Sequence, residues 1–144
     1  SQGTRCHQLA AYIIHDSPLT MLADNPTIYK KEQECTDFIV SIPNKNIEET
    51  RILQGKMGEF IVTARKVDDD WYVGGMTDWN AREITLAFDF LDEGTYETVL
   101  FRDGANADKQ AEDYKKEVFI LTSDSKKKIR MASGGGFAMT IVKK

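Results

Sequence analysis

Two histidines, two cysteines and a run of three aspartates are the residues here whose types could do chemistry. His7 and His15 could act as acid/base groups, yet one falls within a helical stretch and the other near its end, and no partner is visible for either. A surface or packing role is the reading for both. Cys6 and Cys35 are too far apart for a zinc motif, and two thiols do not make a disulfide-rich scaffold. They read as buried thiols, with a disulfide between neighbouring helices as the alternative. Asp68-Asp69-Asp70 lacks the alternating spacing of a calcium loop and reads as a solvated hairpin turn. Lys126-Lys127-Lys128 reads as a soluble turn, and Gly134-Gly135-Gly136 as a flexible one, because no strand-to-helix phosphate loop surrounds it. No catalytic residue and no metal ligand is assigned within the chain.

Composition narrows the partners. The 144 residues are 41% hydrophobic and 29% charged, the balance of a globular protein. A net charge of -4 gives no electrostatic reason to expect nucleic acid or an anionic membrane. No apolar run approaches the roughly 20 residues of a spanning helix, so membrane insertion is not expected. Ser1-Gln2-Gly3 reads as the start of a fragment.

The elements that must position these residues fall into two kinds. Cys6, Leu9, Ala10, Ile13 and Ile14 recur at the spacing of one helical face, predicting a helix over 4–14. A short apolar run, 19–23, suits a strand covered on both sides. After Asp24-Asn25-Pro26 a second helix runs to about Ile42, with Cys35, Phe38, Ile39 and Ile42 on one face. Helix, buried strand, helix is α/β in character, but one strand cannot make a sheet. Residues 1–45 therefore read as the terminal piece of a larger domain.

From Ile47 the period becomes alternating. Strands are predicted at 50–54, 59–67, 71–77, 82–90, 96–102, 116–121, 128–132 and 137–142, separated by Gly- and Asp-rich turns. The expected fold class is mainly β. Residues 46–144 form an antiparallel β-sandwich of about eight strands in two sheets. Only 105–114 resists, being polar and at most a helical turn.

Several stretches in register resemble one family. GTRCHQLAAYIIHDSPLTMLADNP over 3–26, ECTDFI over 34–39, GEFIVTAR over 58–65, DWYVGG over 70–75 and FRDG over 101–104 are similar to the C-terminal end of glycoside hydrolase family 97. These are α-glycosidases of polysaccharide-degrading bacteria such as Bacteroidetes. One departure lies at the junction, where Ile47-Glu48-Glu49-Thr50 replaces the family's usual Trp-Asp-Glu-Thr with one extra residue after Pro43.

The resemblance implies that 1–45 is the last helix-strand-helix piece of a catalytic (β/α)8 barrel and that the sandwich is its accessory domain. It implies cleavage of terminal α-linked galactose or glucose from an oligosaccharide substrate, in the periplasm or outside the cell. The catalytic carboxylate pair and a calcium ion beside the sugar are then expected upstream, in the remainder of the same polypeptide, so this chain alone should be inactive. Asp24 follows the expected strand and is the candidate for facing the sugar pocket, the alternative being a helix cap. Trp71, Tyr72 and Trp79 are candidates for stacking on sugars, which would suit a non-catalytic carbohydrate-binding or dimerisation domain. Alternation puts Trp71 and Tyr72 on opposite sides of their strand, and packing is the preferred reading of the cluster.

Overall fold

The computed structural model describes residues 3–14, 33–43 and 47–144. The expected strand at 19–23, Asp24 and His15 lie outside them. The elements are α1 (Arg5–Ile14), α2 (Gln33–Ser41), β1 (Glu49–Lys56), β2 (Phe60–Val67), β3 (Asp70–Thr77), β4 (Arg82–Ala87), β5 (Tyr96–Asp103), β6 (Tyr114–Leu121), β7 (Lys126–Met131) and β8 (Gly136–Lys143). All eight predicted strands are present. Six form one antiparallel sheet in the order β1-β2-β3-β8-β5-β6, and β4 and β7 form a second.

Alternation explains which side chains meet. On β8, Phe137, Met139 and Ile141 are buried against the second sheet, while Ala138 between them faces the helices. Trp71 and Val73 of β3 join the inter-sheet core with Leu86, Leu100 and Ile129. The opposite face of the large sheet carries a separate cluster, in which Cys6, Leu9 and Ile13 of α1 and Cys35 and Phe38 of α2 meet Phe101. The two cysteines are buried in this cluster and are not joined by a disulfide. Burial, followed by the nearby Asp103 charge, pushes the Cys6 thiol pKa up, which leaves it an inert core residue.

Local chemistry sets the turns. Val67 pairs with Asp70, so the acidic turn has two residues, and Asp68 takes the left-handed backbone (φ 56°) that such a turn demands and that Asp tolerates. Asp70 is not loosely solvated, for its carboxylate accepts a bond from the Lys143 amide at 3.2 Å.

Three expectations are corrected. The strand at 82–90 stops at Ala87, because Phe88, Phe90 and Leu91 all turn inward over the core and the Leu91 amide bonds back to the Phe88 carbonyl. Lys126-Lys127-Lys128 is not a turn but lies in β7 of the small sheet, where Lys127 reaches Glu117 at 3.0 Å and covers the Phe119 ring. The third concerns the glycine turn, Gly134-Gly135-Gly136, which is buried and packed rather than loose.

Candidate functional site

Three elements converge at one end of the sandwich: the start of α1, the end of β5 and the β7–β8 glycine turn. Thr4 caps α1, its hydroxyl accepting the His7 amide at 3.1 Å. The same hydroxyl donates to Asp103 Oδ1 at 2.6 Å. Asp103 Oδ2 accepts the amides of Ala132 at 2.8 Å and Gly136 at 2.9 Å. The glycine turn answers by receiving the Thr4 amide on the Gly134 carbonyl at 3.0 Å, while the Gly135 carbonyl receives the Thr77 amide at 3.0 Å and lies 3.2 Å from His7 Nδ1. Gly134 has φ 63°, and a side chain there would also collide with the Trp79 ring.

Asp103 is buried, and that burial pushes its carboxyl pKa up against the opposing pull of Thr4 and the two amides. A raised carboxyl pKa is a hallmark of active sites. Here geometry decides otherwise. Both oxygens are engaged by the protein itself, so Asp103 is a structural lock holding α1 to the sandwich.

The sequence candidates are dispersed. Trp71 is in the inter-sheet core, 4.9 Å edge-on to Phe90, and offers no ring face to a sugar from solvent. Tyr72 points to the other face and packs half-buried against the helix cluster, and burial raises its hydroxyl pKa. Trp79 is 66% exposed. It borders a surface cavity of about 270 Å³ with Gly3, His7, Thr77, Asp78 and Gly134. Asp78 is held below the usual carboxylate range, first by the Asn80 amide and then by Arg82 and the Asn80 side chain. His7 is thus placed by packing, as expected.

On the far side of Thr77 and Asp78 lies a larger groove of about 620 Å³, floored by Gly55 and walled by Ile52, Met57, Phe60, Ile61 and Met76. Met57 stands fully exposed at the β1–β2 turn. The groove and the Trp79 cavity make one largely apolar end, next to Gly3. Among the described residues no group of three or more His, Cys, Asp or Glu is arranged to hold a metal ion, and no helix is long and apolar enough to cross a membrane.

Sequence reasoning missed the Thr4–Asp103 lock. Its signals were a Thr immediately before the helical period and an acidic residue ending the otherwise buried β5.

Comparison with known proteins fits this arrangement. Residues 46–142 match the family model described as "Glycosyl-hydrolase 97 C-terminal, oligomerisation". A retaining alpha-galactosidase of Bacteroides thetaiotaomicron is 51% identical over 141 residues, 98% of this chain and 21% of that protein. A glycoside hydrolase family 97 enzyme from Pseudoalteromonas sp. strain K8, solved with acarbose, superposes with a TM-score of 0.86 at 28% identity, covering 99% of this chain and 23% of that one. A beta-arabinopyranosidase shares the fold alone, at TM-score 0.58 and 23% identity over 75% of this chain and 16% of its own. The chain therefore spans about a fifth of the length of these relatives.

Proposed function

The chain belongs to the C-terminal family of glycoside hydrolase 97, and on that premise we propose that it is the accessory end of an α-glycosidase whose chemistry is done elsewhere in the same polypeptide. The sandwich braces the catalytic part and contributes to assembly of the enzyme. The observation that carries this reading is the way α1, which precedes the family-matched residues, is built into the sandwich. Its backbone lies directly on Gly74 of β3, where an added Cβ would meet the Ala10 carbonyl oxygen at 2.9 Å and Ile13 Cβ at 3.2 Å. The Thr4–Asp103 bond fixes its other end.

The substrate class is a terminal α-linked galactose or glucose, and identity to a retaining alpha-galactosidase supports galactose and a retaining mechanism. Retention needs a carboxylate nucleophile and an acid/base carboxyl on opposite sides of the sugar bond. Asp103 is unavailable for either task, and in this reading the pair and a calcium ion belong to upstream barrel strands. Asp24 is the residue of this chain assigned to the pocket's edge. The enzyme works in the periplasm or outside the cell.

Gly74→Val in the intact gene product tests the bracing role. Overpacking under α1 costs about 2 kcal/mol. The half-life for thermal inactivation should fall roughly tenfold, since unfolding rates absorb much of such a loss. KM for a nitrophenyl α-galactoside should stay within about twofold, because nothing that touches sugar has changed. A large rise in KM with unchanged thermal half-life would contradict a bracing role and favour one in substrate binding.

A further inference from the structure

The sandwich grips the two helices at the points where residues 15–32 leave α1 and return to α2. Ile14 closes α1, whose last turn holds no basic side chain to answer the unpaired carbonyls of a helix end. Arg65 of β2 supplies one from across the fold, its Nη2 donating to the Ile14 carbonyl at 2.7 Å. Around it Tyr12, Ile13, Ile42, Pro43 and Tyr72 leave a space of about 10 Å³, room for at most one water. At the return, Glu34 lies in the first turn of α2 and is held from β6. Its Oε1 accepts the Tyr114 hydroxyl at 2.8 Å, and its Oε2 lies 3.1 Å from Lys116 Nζ. The Tyr114 bond, and after it that of Lys116, holds the Glu34 carboxyl below the usual carboxylate range. The Tyr114 ring is itself seated on Phe101, with ring centres 5.6 Å apart. These bonds are not what keeps the helices on the sheet, because Leu9, Ile13, Cys35 and Phe38 already bury that face. Burial of an apolar face is non-directional. A hydrogen bond to the last carbonyl of one helix, and another to a first-turn carboxylate of the next, fixes where the chain departs and where it comes back.

We infer that Arg65 and Tyr114 are positioning residues for the sugar pocket: by holding both ends of residues 15–32 they set the place of Asp24 against the substrate. This deepens, and rests on, the assignment of Asp24 to the pocket's edge made above. Asp24 falls midway in sequence between Ile14 and Glu34, so neither grip alone suffices to place it. Lys116 is the lesser partner, since its side chain is 40% exposed and solvent screens its charge. Grips remote from the chemistry are visible in kinetics because a misplacement of about 1 Å costs on the order of a hundredfold in rate. The sandwich in this reading does more than brace the enzyme. It tunes substrate binding through the helices it carries.

The test is a double-variant cycle in the full-length gene product, following nitrophenyl α-galactoside hydrolysis and the thermal half-life of each protein. Arg65→Met should lower kcat/KM roughly tenfold, chiefly through KM, and Arg65→Lys, which keeps the charge and a donor, should recover to within about threefold of wild type. Asp24→Ala should lower kcat/KM by about thirtyfold, and adding Arg65→Met to it should cost less than about twofold more, because the residue being positioned is gone. Gly74→Val, which leaves both grips in place, reports what lost stability alone does. If Arg65→Met does not fold, Tyr114→Phe decides the matter, since it removes one hydroxyl and keeps the ring on Phe101. Its KM should rise about threefold. A folded Arg65→Met that behaves like Gly74→Val, with a shortened half-life and unchanged KM, overturns the inference. So does full additivity with Asp24→Ala, or a Tyr114→Phe variant with the KM of wild type. An Asp24→Ala variant with wild-type kcat and KM overturns the pocket assignment itself and the inference with it, whereas a damaged Asp24→Ala beside an unaffected Arg65→Met overturns the inference alone.

Discussion

Asp103→Ala should lower the melting temperature of this chain by about 8 °C, corresponding to roughly 3 kcal/mol for a chain of this size. The side chain is the acceptor for the Thr4 hydroxyl and for the Ala132 and Gly136 amides, and all of these lie where water does not replace the lost carboxylate. Truncation therefore leaves buried donors unsatisfied, which costs more than the bonds are worth when intact. The loss should appear first at the helix. Amides of α1 should exchange with solvent faster than those of β3 and β8, since the lock holds the helix start and the large sheet has its own ladder.

Asparagine separates shape from charge. Asp103→Asn keeps an oxygen for the two amides, so it should melt within about 1 kcal/mol of wild type at pH 7. Burial raises the Asp103 pKa in the folded chain. A group raised on folding contributes stability that is complete below its unfolded pKa and is lost as the pH rises through its folded one. Wild type should therefore gain on the asparagine variant as the pH is lowered from 7 towards 4. Equal shifts in the two proteins over that range would mean that Asp103 is not desolvated.

Trp71→Ala should be more damaging, about 4 kcal/mol and some 12 °C in melting temperature, because it empties the largest buried side chain from a packed interior. Trp71 lies between the two sheets, edge-on to Phe90 with ring centres 4.9 Å apart and planes at 74°, and Arg51 sits 6.0 Å above its ring. Phe90 belongs to the segment that leaves β4 and folds over the core, so the cavity would also loosen the 88–92 turn. Trp71→Phe should recover most of the loss. By contrast, Trp79→Ala in the isolated chain should change the melting temperature little, since its ring is two-thirds exposed. Equal destabilisation by the two alanine substitutions would contradict this division of the aromatic cluster into core and surface.

Much of this architecture was legible in residue order. Alternation of large apolar and polar side chains located every strand, and the helical spacing of Cys6, Leu9, Ala10 and Ile13 named the buried face of α1. Both are local patterns that follow from a side-chain period of 2 or 3.6 residues. Non-local features were not legible. That β8 inserts between β3 and β5 depends on pairings such as Tyr72 with Thr140, residues far apart in sequence. Strand propensity is weak enough for tertiary context to override, so three lysines that look like a turn could sit in β7, where Glu117 and the Phe119 ring receive one of them. The same limit applies to the site. Asp103 read as the edge of an Asp-Gly turn, since nothing near it in sequence shows that Thr4 and the glycine turn will arrive around it. Trp71, Tyr72 and Trp79 were grouped by proximity in sequence, but the pleat sends the first two to opposite faces and the turn leaves the third outside.

In the proposed reading this chain supports an α-glycosidase without performing its chemistry. Hydrolysis of a nitrophenyl α-D-galactopyranoside tests it most directly, comparing the 144-residue chain with the full-length gene product at equal molar concentration. The full-length protein should turn the substrate over, and the 144-residue chain should show no turnover above buffer. Hydrolysis by the 144 residues alone, retained after repurification and lost on denaturation, would contradict it.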